Sequence, residues 1–162
     1  MKKFELTTEF ITTSLGIKLF RIKALISFGD VKVGDLGGFI MKEENLSMSD
    51  DAWIYGNARV SGNAKVCGDA KVCGDAEVYG NAWIYGNAEV CGNADYTTIK
   101  GFGTAFRTTT FFKCEDNEIR VNCGCFYGTI EEFRKQVNKT RDGKVAEEYL
   151  MIADLMEKHF SN

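Results

Sequence analysis

One guanidinium and three consecutive hydroxyls stand beside a glycine-bracketed aromatic, where Gly101-Phe102-Gly103 is followed by Arg107-Thr108-Thr109-Thr110. That combination suits a phosphate or a nucleotide, because arginine offers bidentate charge and hydroxyls offer short donors. Phe126 and Tyr127 complete the candidate ligand set. No Walker-type glycine spacing accompanies the stretch, so the signal is weak, and a plain strand with solvated threonines is the simpler reading of the same residues. Cys114, Cys123, Cys125 and His159 could be assembled into a zinc site, but Cys123-Gly124-Cys125 is a C-x-C pair with no second knuckle. Two cysteines on one strand face read more simply as small buried hydrophobes, so no metal and no cofactor is expected. The single histidine, His159, falls near the end of the last helical stretch, where a cation suits the helix dipole, and no catalytic residue is assigned.

The elements that must position these groups are organised around Asp51 to Tyr96, which reads DAWIYG, NARVSG, NAKVCG, DAKVCG, DAEVYG, NAWIYG, NAEVCG, NADY. A period of six is too short for a helical repeat and points to short stacked strands that bury a core only by piling up. Because side chains alternate along a strand, Ala52, Ala58, Ala64, Ala70, Ala76, Ala82, Ala88 and Ala94 should face inward. They share that face with Ile54, Val60, Val66, Val72, Val78, Ile84 and Val90. Glycine followed by Asn or Asp makes the corner. Three corners close a turn of eighteen residues, which sets Lys71 beside Glu89 and Arg59 beside Glu77 on adjacent rungs. It also sets Trp53 over Lys71 and Lys65 over Trp83, as cation–π stacks. Trp53, Tyr55, Trp83 and Tyr85 are expected to point outward as interface anchors, on two different sides that self-association would unite.

The aliphatic-then-small spacing resembles the hexapeptide repeat of left-handed parallel β-helices, and the handedness rests on that resemblance alone. The expected fold is therefore mainly β: a left-handed parallel β-helix with an N-terminal β-hairpin cap and C-terminal strands plus two helices. Residues 1–44 supply the hairpin and a degenerate entry coil, 45–98 the helix, and 99–162 the C-terminal cap. In the hairpin, Phe4, Leu6 and Phe10 alternate, then Phe20, Ile22, Ala24, Ile26 and Phe28, with a turn at Ser14 to Gly16. Two strands flank an Asp116–Asn117 turn. Thr129-Ile-Glu-Glu132 is a capping box that opens a first helix, and a second carries Val145, Tyr149, Ile152, Ala153, Met156 and Phe160 on one stripe.

With 162 residues and a net charge of −3, the chain suits one domain, or one with an appendage, and gives no argument for nucleic acid. It has no run of eighteen apolar residues, and MKKFELTTEF lacks the apolar core of a signal peptide, so a cytoplasmic protein without a membrane partner is expected. The six cysteines then read as reduced thiols, with Cys73 and Cys91 stacked on adjacent rungs and able to oxidise in vitro.

The GDLGGFI entry, the array, the DYTTIKGFG exit and the CGCFYGTIEEFR and EYLMIADLMEKHF tail together resemble small hexapeptide-repeat proteins common in bacteriophages and prophages of Firmicutes. Such proteins tend to be described as transferase-like or polymer-forming. The resemblance implies a fold and no particular activity. The preferred expectation is a non-catalytic binding protein of phage type, a homo-oligomer built on the array, whose C-terminal part holds a host protein or a small nucleotide; interference with a bacterial defence system follows from the family context alone. Two other functions stand beside it: a hexapeptide acyltransferase using acetyl-CoA or a similar donor, and a polymer-forming structural protein. Acyltransferases of this class use a histidine base near the helix wall and a loop projecting from a coil, whereas here the array has no insertion and His159 lies outside it.

Overall fold

The computed structural model describes residues 1–161. Three strands open the chain: β1 (Phe4–Thr12), β2 (Lys18–Ala24) and β3 (Leu36–Ile40). Seven strands of two residues follow at the repeat period: β4 (Trp53–Ile54), β5 (Arg59–Val60), β6 (Lys65–Val66), β7 (Lys71–Val72), β8 (Glu77–Val78), β9 (Trp83–Ile84) and β10 (Glu89–Val90). Four longer strands, β11 (Tyr96–Phe102), β12 (Arg107–Lys113), β13 (Ile119–Cys123) and β14 (Phe126–Thr129), precede helices α1 (Ile130–Thr140) and α2 (Gly143–Phe160).

The eighteen-residue register holds. Trp53 pairs with Lys71 and Lys71 with Glu89, Arg59 with Glu77, and Lys65 with Trp83, all in parallel. Backbone bonds such as Lys71 N–H to the Ala88 carbonyl (2.8 Å) tie the rungs. Corner glycines are needed because the rungs are so close: Gly68 sits at φ +74°, and a Cβ there would come within 2.8 Å of the Gly86 nitrogen. The inward alanines from Ala52 to Ala88 and the aliphatics from Ile54 to Val90 are 0–1% exposed and form one cluster. Ala94 departs from the pattern and is exposed, because Asn93–Asp95 coils into a 3-10 turn that ends the array.

The fold class itself needs correction. The strands make four sheets of mixed type, and neither a left-handed turn nor a fully parallel β-helix describes them. One sheet, β11-β12-β13-β14, is wholly antiparallel; another, β1-β2-β3-β5-β8, joins an antiparallel hairpin to parallel rungs. The physical reason lies in the six-residue unit: its glycine corner leaves two residues for each extended segment, so the longer strands form outside the array. The hairpin covers the first rung by edge pairing, β2 on β3, and Ile26 and Phe28 lie beyond its second strand.

Trp53 occupies an outward position of its unit, yet it is 1% exposed. The rings of Phe4 and Phe28 meet it edge-on at 6.3 and 5.4 Å, because the N-terminal segment folds over that corner. Lys3 Nζ holds the segment in place by donating to the carbonyls of Asp50 (2.8 Å) and Ala52 (2.9 Å). Burial lowers its pKa, with the Asp50 and Asp51 charges opposing. Neither expected cation–π stack forms. Lys71 instead pairs with Glu115 (3.3 Å) and Asp30 (3.8 Å), while the Trp83 indole donates to Cys67 Sγ (2.8 Å). The expectation of six free thiols is also corrected, since Cys73 and Cys91 are joined as a disulfide across neighbouring rungs, their Cα atoms 4.4 Å apart.

The strand β12 binds the two halves of the molecule. Its alternating side chains send Phe112 into the array core, where Cys114 just past the strand joins it, and Phe111 into a second core with Val121, Phe133, Val137, Tyr149, Ile152 and Met156. Cys114 also bridges to Ala88, and Glu115 N–H donates to the Asn87 carbonyl. The predicted cap of α1 is present: the Thr129 hydroxyl accepts from Glu132 N–H (3.1 Å), and Glu132 accepts from Thr129 N–H (2.9 Å).

Candidate functional site

A cleft of about 390 Å³ opens between the C-terminal sheet and the two helices. The start of β12 contributes Arg107, the end of β13 contributes Cys123, the β13–β14 turn contributes Cys125, and β14 contributes Phe126 and Tyr127. From α1 come Phe133, Gln136, Val137 and Thr140, spaced three and four apart so that one face is half apolar and half polar. Arg141 follows at the helix end, with Tyr149 from α2. The volume lies near the lower end of the roughly 300–1,000 Å³ of small-ligand pockets.

The electrostatics of this cleft are one-sided. The chain has six arginines. Four of them meet carboxylates: Arg21 with Glu9, Arg59 with Glu77, Arg120 with Asp116, and Arg134 with Asp154 and Glu157. Arg107 and Arg141, both in the cleft, have no carboxylate within 4.0 Å among the described residues, and no Asp or Glu lines the cavity. Arg141 Nη1 donates to the Thr140 carbonyl (3.1 Å). Tyr149 donates its hydroxyl to the Phe102 carbonyl (3.2 Å). Burial pushes that phenol above its ordinary range, Cys123 adds to the shift, and the Arg141 and Arg107 charges pull it back. At neutral pH the cleft thus presents two cations, two phenols, two threonine hydroxyls and a side-chain amide around aromatic rings.

The predicted ligand set is only partly assembled here. Arg107, Phe126 and Tyr127 line the cleft, but the three threonines do not. Thr109 is buried and donates to Cys123 Sγ (3.1 Å), whereas Thr110 is buried on the opposite face and accepts from Trp83 N–H (3.1 Å). Thr108, half-buried, pairs with Lys100. Strand alternation makes this unavoidable, since consecutive residues of β12 cannot share a face. Sequence reasoning missed Arg141, Gln136, Thr140 and Tyr149, although the polar residues interleaved with the Phe133–Val137 stripe were a usable signal. His159 meets the ring of Phe160 edge-on at the end of α2 and takes no part in the cleft.

The interface set divides in the same way. Trp53 is buried and Tyr55 half-buried, whereas Trp83 and Tyr85 are 43% and 40% exposed and lie side by side. Tyr127 extends that pair, its ring 5.2 Å from Tyr85 and its hydroxyl 3.4 Å from Asn87 Oδ1. One aromatic wall therefore runs from the array to the rim of the cleft. Among the described residues no helix is long and apolar enough to cross a membrane, and no cluster of three metal-ligating side chains forms. No protein-family model and no curated protein matches this sequence.

Proposed function

We propose that this is a non-catalytic binding protein which holds a small phosphate-bearing ligand of the nucleotide kind in its C-terminal cleft. The observation that carries the reading is the pair of arginines without carboxylate partners, both opening into one aromatic-lined cavity. Paired guanidinium groups suit a phosphate, and Phe126 offers a face for a planar base. The array serves as a rigid base for the cleft, and Trp83 with Tyr85 forms a surface for self-association. In the setting suggested by the resemblance to phage-borne proteins, sequestering a nucleotide signal or holding a host protein would counter a bacterial defence system.

A thermal-shift panel of mono-, di- and cyclic nucleotides, inorganic phosphate and acetyl-CoA tests this. A ligand at a hundred times its Kd should contribute about 2.7 kcal/mol, a shift of several degrees for a chain of this size. Arg107→Gln with Arg141→Gln should abolish that shift while leaving the unliganded melting point within a degree or two. A panel with no stabilising nucleotide, or stabilisation indifferent to the double substitution, defeats the reading.

A further inference from the structure

The cleft also holds a reactive-group arrangement that ligand binding does not use. Of the four free thiols, Cys114 is buried, Cys67 and Cys123 are half-buried, and Cys125 alone is exposed. Cys67 and Cys123 each accept a hydrogen bond, from the Trp83 indole and the Thr109 hydroxyl. Cys125 lines the cleft without such a partner. Between Cys123 and Cys125 lies Gly124 at φ +61°, and a Cβ there would overlap the Arg107 guanidinium. The missing side chain lets the guanidinium rest directly on the turn that carries the thiol. Arg141 lines the same cavity.

We infer that Cys125 is a charge-selected modification site, taking thiol–disulfide exchange from anionic low-molecular-weight disulfides of the glutathione kind. This rests on the anion-binding character of the cleft proposed above. Cys125 loses its proton to solvent, and its thiolate attacks one sulfur of the incoming disulfide. A bond forms between Cys125 Sγ and that sulfur as the original S–S bond breaks. The electron pair leaves on the released thiolate, which takes up a proton, so the incoming disulfide is the oxidant and no other is required. Selection arises before the chemistry, because two unneutralised guanidinium groups in a concave site raise the local concentration of anions.

Three disulfides of different charge separate this from ordinary thiol exposure: glutathione disulfide (anionic), bis(hydroxyethyl) disulfide (neutral) and cystamine (cationic). Intact mass followed by peptide mapping reads the rate and the position of the adduct. Relative to the same probes acting on a short unfolded cysteine peptide, glutathione disulfide should be favoured over cystamine by roughly tenfold or more. The adduct should map to Cys125, vanish in Cys125→Ser, and persist in Cys123→Ser. Added salt should shrink the preference, and Arg107→Gln with Arg141→Gln should remove it. Equal normalised rates for all three probes, or labelling that maps mainly to Cys67, would overturn the inference. Should nucleotide stabilisation persist in that case, this inference alone falls; should neither probe class respond to loss of the arginines, the proposed function falls with it.

Discussion

The repeat array and the C-terminal unit solve the same packing problem with different side chains. The array fills its centre with alanine and valine at fixed intervals, repeated rung upon rung. The C-terminal core uses phenylalanine, tyrosine, isoleucine and methionine at irregular intervals. Identical small residues stack without gaps, because every rung presents the same surface to the next. Large rings meeting edge-on, such as Phe133 against Phe111 and Tyr149, leave space beside them, and there the cleft opens. Regular packing therefore gives a base and irregular packing gives a site.

The sharpest way to break this comparison is Val72→Asp. Val72 is fully buried and paired on both sides, with Ile54 and Val90, so a carboxylate there has no partner and the destabilisation should be several kcal/mol. The protein should aggregate or lose its cooperative melt in calorimetry. A folded, soluble Val72→Asp would mean that the array does not depend on a dry interior.

A milder probe acts where the two regions meet. Burial pushes the Cys114 thiol up to about 11, with the Arg120 charge opposing, from an ordinary value of 9.0. An unfolded Cys114 ionises first, so the native state holds a proton that the unfolded state has lost. Stability should accordingly fall as pH rises from about 9 to about 11, by up to about 1.4 kcal/mol per unit. Tyr96, raised to about 12 chiefly by burial, extends the decline in the same direction. Melting curves across this range should be shallower for Cys114→Ala; an unchanged slope would remove the joint as its source.

The smallest expected effect concerns the C-terminal unit alone. Thr129→Ala removes the hydroxyl that accepts from Glu132 N–H and should cost about 1 kcal/mol. Hydrogen exchange should rise at the start of α1 and remain unchanged in the rungs. Loosening that spread into the array would show that the two regions melt as one unit.

Much of this division was legible in the residues. The inward alanines and valines, the eighteen-residue register and the Thr129 cap follow from periodicities that depend on local chemistry alone. Burial of Trp53 did not, because its cover comes from Phe4 and Phe28, far away in the chain. The class of fold was misjudged because a repeat dominates the eye, while half the paired architecture lies outside it in antiparallel strands with no period. The cleft was found by one arginine and missed by the other: Arg107 stood beside a recognisable hydroxyl run, whereas Arg141 stood after an ordinary helix. Only the helix-to-sheet docking brings both into one cavity.

The doubled letters of Thr109-Thr110-Phe111-Phe112 carry a last consequence. Were β12 to slide by one position so that each slot took the preceding residue, the array side would keep threonine for threonine and phenyl for phenyl, with Thr109 in the place of Thr110 and Phe111 in that of Phe112. On that side the pairs themselves cannot tell the correct alignment from its neighbour. What tells them apart there is Lys113, which the slide would drive toward the array interior in place of Cys114, stranding an ammonium among aliphatic side chains. On the other side Thr110 would stand where Phe111 fills the second core, so a lysine and a phenyl ring together hold this strand to one position.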